Sequence, residues 1–208
     1  MQEISWKDNL RIAWFGCFLT RASISLVVPF MPIFVEQLGI EGDQVAFYSG
    51  LAISVSAISA AFVSPIWGIL ADKYGRKPMM IRAGLAMTIT MGGLAFVPNV
   101  FWLLFLRFLN GVFTGFVPNA TALIASQVPK DRSGYALGTL STGVVAGTLT
   151  GPFVGGLIAE IFGIRNVFLL VGSFLLFGCF LNHSFYQRKL STSAKRKSTA
   201  YKRALYFG

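Results

Sequence analysis

Two arginines sit inside apolar stretches, where a charge is costly. Arg107 lies within the run from Val100 to Ala125, and Arg21 within the run from Ile12 to Val35. A cation in the bilayer core costs about 2.5–3.5 kcal/mol even on lenient scales. Arg107 opens a stripe in which Asn110, Thr114, Pro118 and Thr121 follow at i+3, i+7, i+11 and i+14, one face of a helix. Ser25, Pro29 and Pro32 follow Arg21 along roughly its own face. Such groups suit a wet path: fixed cations that attract or repel a solute, with hydroxyl and amide groups to bind it. The plain alternative for each arginine is a side chain that snorkels to the headgroups. All eight carboxylates, from Glu3 to Glu160, fall in loops or at the ends of apolar runs. Glu36 is the nearest to a proton-carrying position, and a weak candidate. The chain shows no paired carboxylates, no nucleophile–base pair and no metal cluster, so no enzyme is expected. Cys17 and Cys179 both fall in apolar runs and suggest neither a disulfide nor a metal site. His183, the single histidine, reads as an interfacial side chain.

The elements that must position these residues are membrane spans. Of 208 residues, 54% are hydrophobic and only 12% charged, about half the charged share of a soluble domain. Six apolar runs of membrane length appear: Ile12–Val35, Phe47–Leu70, Met79–Val97, Val100–Ala125, Tyr135–Ala159 and Asn166–Tyr186. The formal charge of +10 could point to nucleic acid, but its placement points elsewhere. Lys7, Arg11, Lys73, Arg76, Lys77, Arg82, Lys130, Arg132 and the run from Arg188 to Arg203 all fall on one side of a six-span chain. Only Arg165 falls on the other. The positive-inside rule then places both termini in the cytoplasm and accounts for most of the charge, so no nucleic-acid partner is expected.

One loop is written twice. Gly68-Ile-Leu-Ala-Asp72-Lys-Tyr-Gly75-Arg76-Lys77 returns as Gly156-Leu-Ile-Ala-Glu160-Ile-Phe-Gly163-Ile-Arg165. Three spans separate the copies, so they face opposite sides of the membrane. The copy on the basic side keeps its bases and the other loses them. Equivalent elements in opposite orientation make an inverted repeat, here spans 1–3 and 4–6. The expected fold is an all-α membrane protein of six transmembrane helices as two inverted three-helix repeats, over residues 1–186, followed by a basic cytoplasmic tail at 187–208.

These residues also carry a resemblance. The Gly68–Lys77 loop looks like the cytoplasmic signature of the major facilitator superfamily between helices 2 and 3. Arg107-Phe-Leu-Asn-Gly111-Val-Phe-Thr-Gly115 is similar to its helix 4 signature. Gly147-Thr-Leu-Thr-Gly151-Pro152-Phe-Val-Gly155-Gly156 resembles the helix 5 motif of its antiporters, and Pro29-Phe-Met-Pro32 also fits. The chain thus resembles the N-terminal half of a drug:proton antiporter, of the MdtG type of bacterial multidrug efflux protein. The resemblance implies a bacterial plasma-membrane protein, small amphiphilic substrates, no cofactor beyond the proton gradient, and a second six-helix half. It implies that Gly68, Asp72, Gly75, Arg76 and Lys77 form a conformational latch docking on that half. Arg21, Arg107, Asn110 and Thr114 become candidates for the substrate or proton path.

In span 5, Gly143, Gly147, Gly151 and Gly155 recur every fourth residue, a face on which another backbone can lie. Pro152 is expected to bend that helix. Gly147, Gly151, Pro152, Gly155 and Gly156 are therefore a candidate packing motif. The tail after residue 186 is open to three readings: the start of a central loop, a basic lipid-binding segment, or the product of a truncation or frameshift. Truncation is favoured because family members have twelve spans. The functional alternatives are a six-span half that works as a homodimer or with a separate partner half, and a non-transporting membrane remnant.

Overall fold

The computed structural model of the chain describes residues 6–176 and Gly178. The basic tail, Cys179, His183 and the end of the sixth apolar run lie outside the described residues. The described chain is helical. Helix α1 (Trp6–Val27) passes through a single 3-10 turn, Val28–Phe30, into α2 (Met31–Gln37). Helices α3 (Gln44–Tyr74) and α4 (Arg76–Gly93) follow. The fourth apolar run is two helices, α5 (Val100–Phe113) and α6 (Phe116–Gln127). Then come α7 (Ser133–Phe162) and α8 (Ile164–Leu176). Five of these stretches are long and apolar enough to cross a membrane, and α8 is a shorter apolar helix. At 1.5 Å per residue, the 31 residues of α3 span about 46 Å, more than the hydrocarbon core requires.

The turns between spans are encoded locally. Asn99 caps α5, its side-chain oxygen accepting from the Trp102 amide at 3.1 Å. The duplicated loop takes the same backbone path twice. Gly75 has φ +96 and ψ +148, and its amide donates to the Ala71 carbonyl at 2.9 Å. Gly163 has φ +79 and ψ +158, and its amide donates to the Ala159 carbonyl at 3.0 Å. Only glycine takes such angles without strain, which is why both copies keep it.

Packing repeats the same symmetry. Helix α1 lies along α7, and α3 lies along α5. Exchanging spans 1–3 with spans 4–6 turns the first pair into the second. Helices α4 and α8, which exchange with each other, meet at Gly92 and Gly172, where a Cβ on Gly172 would stand 3.0 Å from the Gly92 Cα. Two apolar clusters fill the middle. One, towards the Gly163 end, gathers Met31, Phe34, Met87, Met91, Leu103 and Phe168; the other, towards the Gly75 end, gathers Leu10, Cys17, Met80, Phe116, Ile124 and Leu140. Phe62 on α3 is 78% exposed and Leu149 on α7 is 72% exposed. Large apolar side chains turned outward on two helices suit lipid or another apolar partner, and would be a liability in water.

Candidate functional site

The glycine face of α7 is covered by α1. A side chain at Gly143 would come within 2.9 Å of the Trp14 carbonyl oxygen, and one at Gly151 within 2.6 Å of that of Ala22. Gly147 lies against the Phe18 carbonyl, and Gly155 against Leu26 and Phe30. Gly156 stands at the margin of the contact, with only Phe30 near. Two cross-helix bonds accompany this approach: Ser25 Oγ donates to the Thr148 carbonyl at 2.7 Å, and Trp14 Nε1 to Thr142 Oγ1 at 2.9 Å. Helix α7 runs on through Pro152 as a single element. Arg21 rises from this seam beside Gly147, half-buried, its Nε enclosed with no hydrogen-bond partner among the described residues.

Arg107 is deeper than a pathway residue open to water would be. It is 3% exposed, and its Nη2 reaches Met31 Sδ at 3.9 Å, while its Nε has no partner among the described residues. Asn110, one turn on, is also buried and donates to Thr90 Oγ1 at 2.9 Å; Thr90 donates in turn to the Ala86 carbonyl at 2.9 Å. Gly111 lets α5 press onto Ser56 and Ser59 of α3, and Ser59 Oγ donates to the Phe108 carbonyl at 3.1 Å.

The stripe expected from Arg107 to Thr121 does not run down one helix. Thr114 is extended, with ψ +173, and Gly115 has φ +131, so the chain breaks between α5 and α6. Thr114 turns into a separate cavity of about 410 Å³, shared with Ala57, Ser64, Trp67, Gly68, Arg76 and Asn119. The structure thus divides the expected path residues. Arg107 and Asn110 lie in a buried cluster, Arg21 lies on the α1–α7 seam, and Thr114 lies beside the loop that contains Gly68 and Arg76.

That loop holds the ion pair its spacing suggests. Arg76 Nη2 donates to Asp72 Oδ1 at 2.5 Å across the Gly75 turn. Lys73 Nζ lies 5.5 Å from the Tyr74 ring centroid. Glu36 is exposed at the end of α2.

Arg82 carries a role that the sequence does not show. It counts among the bases of the charge asymmetry, and it also reaches the break in the fourth span, where Nη2 donates to the Phe113 and Thr114 carbonyls at 3.3 and 3.2 Å. Pro118, four residues after Thr114, was the available signal: it has no amide hydrogen to offer that carbonyl.

Spans paired by an inverted repeat, with charged and amide side chains held inside, are the build of one six-helix half of a major facilitator fold. The Major Facilitator Superfamily profile matches residues 13–205, and the chain belongs to that superfamily. It is 79% identical over 198 residues to the multi-drug resistance efflux pump PmrA of Streptococcus pneumoniae, covering 95% of this chain and 50% of that protein. It is 55% identical over 194 residues to a PmrA homolog of Lactococcus lactis, covering 93% and 48%. To the multidrug resistance protein MdtG of Proteus mirabilis it is 48% identical over 194 residues, again covering 93% and 48%. The chain spans about half the length of the curated relatives it matches.

Proposed function

We propose that the chain is the N-terminal six-helix half of a proton-coupled multidrug efflux antiporter that exports small amphiphilic compounds. Its setting is the bacterial plasma membrane, with both termini in the cytoplasm. The proton gradient supplies the energy and no bound cofactor takes part. The observation that carries this reading is the 79% identity, across 95% of the chain, to half of a protein named as an efflux pump. The outward apolar faces of α3 and α7 support it, because each offers a wall that a second bundle could cover.

In this reading the Gly68–Lys77 loop latches one carrier state by docking on the second bundle, with the Asp72–Arg76 pair holding its shape. Arg21, Arg107, Asn110 and Thr114 contribute to the path for substrate or protons. The glycine face of α7, from Gly147 to Gly156, lets α1 and α7 move as a closely packed pair. Among the described residues the carboxylates stand towards the ends of the spans and none in the middle of one, which favours a protonatable group in the second bundle over Glu36.

The test is efflux of a fluorescent substrate from cells. The chain alone is expected to give none. Co-expression with the C-terminal six-helix half of the Streptococcus pneumoniae relative is expected to restore it. Vigorous pumping by the isolated chain, with no larger assembly on crosslinking, would overturn the proposal.

A further inference from the structure

The fourth span is interrupted by its own sequence. Pro118 removes the donor that the Thr114 carbonyl would need, and Gly115 takes a left-handed φ of +131. In hydrocarbon, carbonyls released by a break must find donors inside the protein. They find them on two other spans. Trp67 Nε1, from α3, donates to the Val112 carbonyl at 2.6 Å. Arg82, from α4, donates to the Phe113 and Thr114 carbonyls. The guanidinium carbon stands 3.3 Å from the Trp67 ring centroid, so the indole that bonds one carbonyl also supports the cation that bonds the next two.

The position of Arg82 links two regions. It lies on the helix that begins at Arg76, about 9 Å along the axis at 1.5 Å per residue, so α4 joins the latch loop rigidly to the break. On the other side of the contact, Asn110 is less than one turn from Phe113 in α5, and Arg107 is one turn further.

We propose that Arg82, braced by Trp67, is a positioning residue that pins the break in the fourth span and so fixes the register of Arg107 and Asn110 relative to α4 and the latch loop. Its consequence for transport rests on the efflux reading; the clamp itself does not. A methionine at this site fills much of the volume and donates nothing. A lysine can still donate from one nitrogen but has no planar guanidinium to lie on the Trp67 ring.

The experiment compares Arg82→Met and Arg82→Lys with the unaltered chain in lipid nanodiscs, following hydrogen exchange over residues 110–120 by mass spectrometry. Loss of two bonds from a charged donor is expected to speed exchange there at least about tenfold in Arg82→Met, with Arg82→Lys intermediate. If Arg82→Met does not insert, Trp67→Phe, which keeps the ring and removes one donor, is expected to show the same effect at smaller amplitude. The same variants, co-expressed with a C-terminal half, are expected to lose about tenfold in turnover with KM changed by less than about twofold, since Arg82 holds the frame and does not touch substrate. Adding Pro118→Ala to Arg82→Met returns a donor to Thr114. Protection of residues 110–120 should then recover while turnover stays low, because the break has been closed and not held. Unchanged exchange in Arg82→Met, or in Trp67→Phe where that stands in, overturns the clamp. Recovery of turnover on adding Pro118→Ala overturns the positioning role. If the unaltered pair fails to transport, the efflux reading fails, and the exchange measurement still decides the clamp.

Discussion

Asp72 and Arg76 form a short ion pair, yet Asp72 is largely exposed, and an exposed pair contributes at most about 1 kcal/mol to stability. A role in shaping a docking loop and a role in stability therefore separate experimentally. Asp72→Asn is expected to shift the thermal midpoint of the detergent-solubilised chain by only about 1–3 °C. In the chain paired with a C-terminal half, the same substitution should lower efflux severalfold, read as dye export per unit of inserted protein. The arginines call for a different test. Arg21 and Arg107 bring positive charge into the bundle, and a low dielectric strengthens it. The paired transporter is expected to export neutral or anionic amphiphiles better than cationic dyes. Arg21→Gly should narrow that preference, as measured by the ratio of initial export rates. A lipophilic cation as best substrate, with anion export untouched in Arg21→Gly, would refute the electrostatic argument.

At the scale of elements, the seam between α1 and α7 has no slack. Gly143, Gly147 and Gly151 meet backbone atoms of α1, which cannot turn aside as a flexible side chain can. Gly151→Leu is expected to separate the helices. Leu149→Ala, at a residue 72% exposed, trims a side chain that is turned mostly away from the described bundle. Protease resistance in membranes should fall sharply for the first and hardly at all for the second; equal resistance would mean that the glycine face meets lipid. The fourth span shows a different device. An unbroken helix satisfies its own carbonyls, whereas α5 and α6 depend on α3 and α4 at their junction.

At the scale of the molecule, the two turns at Gly75 and Gly163, three spans apart, share one backbone geometry. From the distribution of basic residues, the first is expected in the cytoplasm and the second outside. Single cysteines at positions 74 and 162, with Cys17 and Cys179 replaced by alanine, test this with an impermeant thiol reagent applied to intact cells. Labelling at 162 and protection at 74 is expected; the reverse would invert the topology.

Much was legible along the chain because the physics there is local or periodic. Span length follows from bilayer thickness, and the duplicated loop betrays the inverted repeat. The Asp72–Arg76 pair is four residues apart across a turn, and the glycine face of α7 recurs every four residues. Each depends on neighbours fixed by covalent order or helical pitch. The cluster at Arg107, the separation of Thr114 from it and the task of Arg82 depend on which span lies beside which. Pro118 and Gly115 marked a weak point in the fourth span, but a freed carbonyl can be satisfied by any donor that packing brings near. Only the three-dimensional arrangement of α3 and α4 made those donors Trp67 and Arg82, and gave a base that looked like a topology marker a half-buried contact with the fourth span.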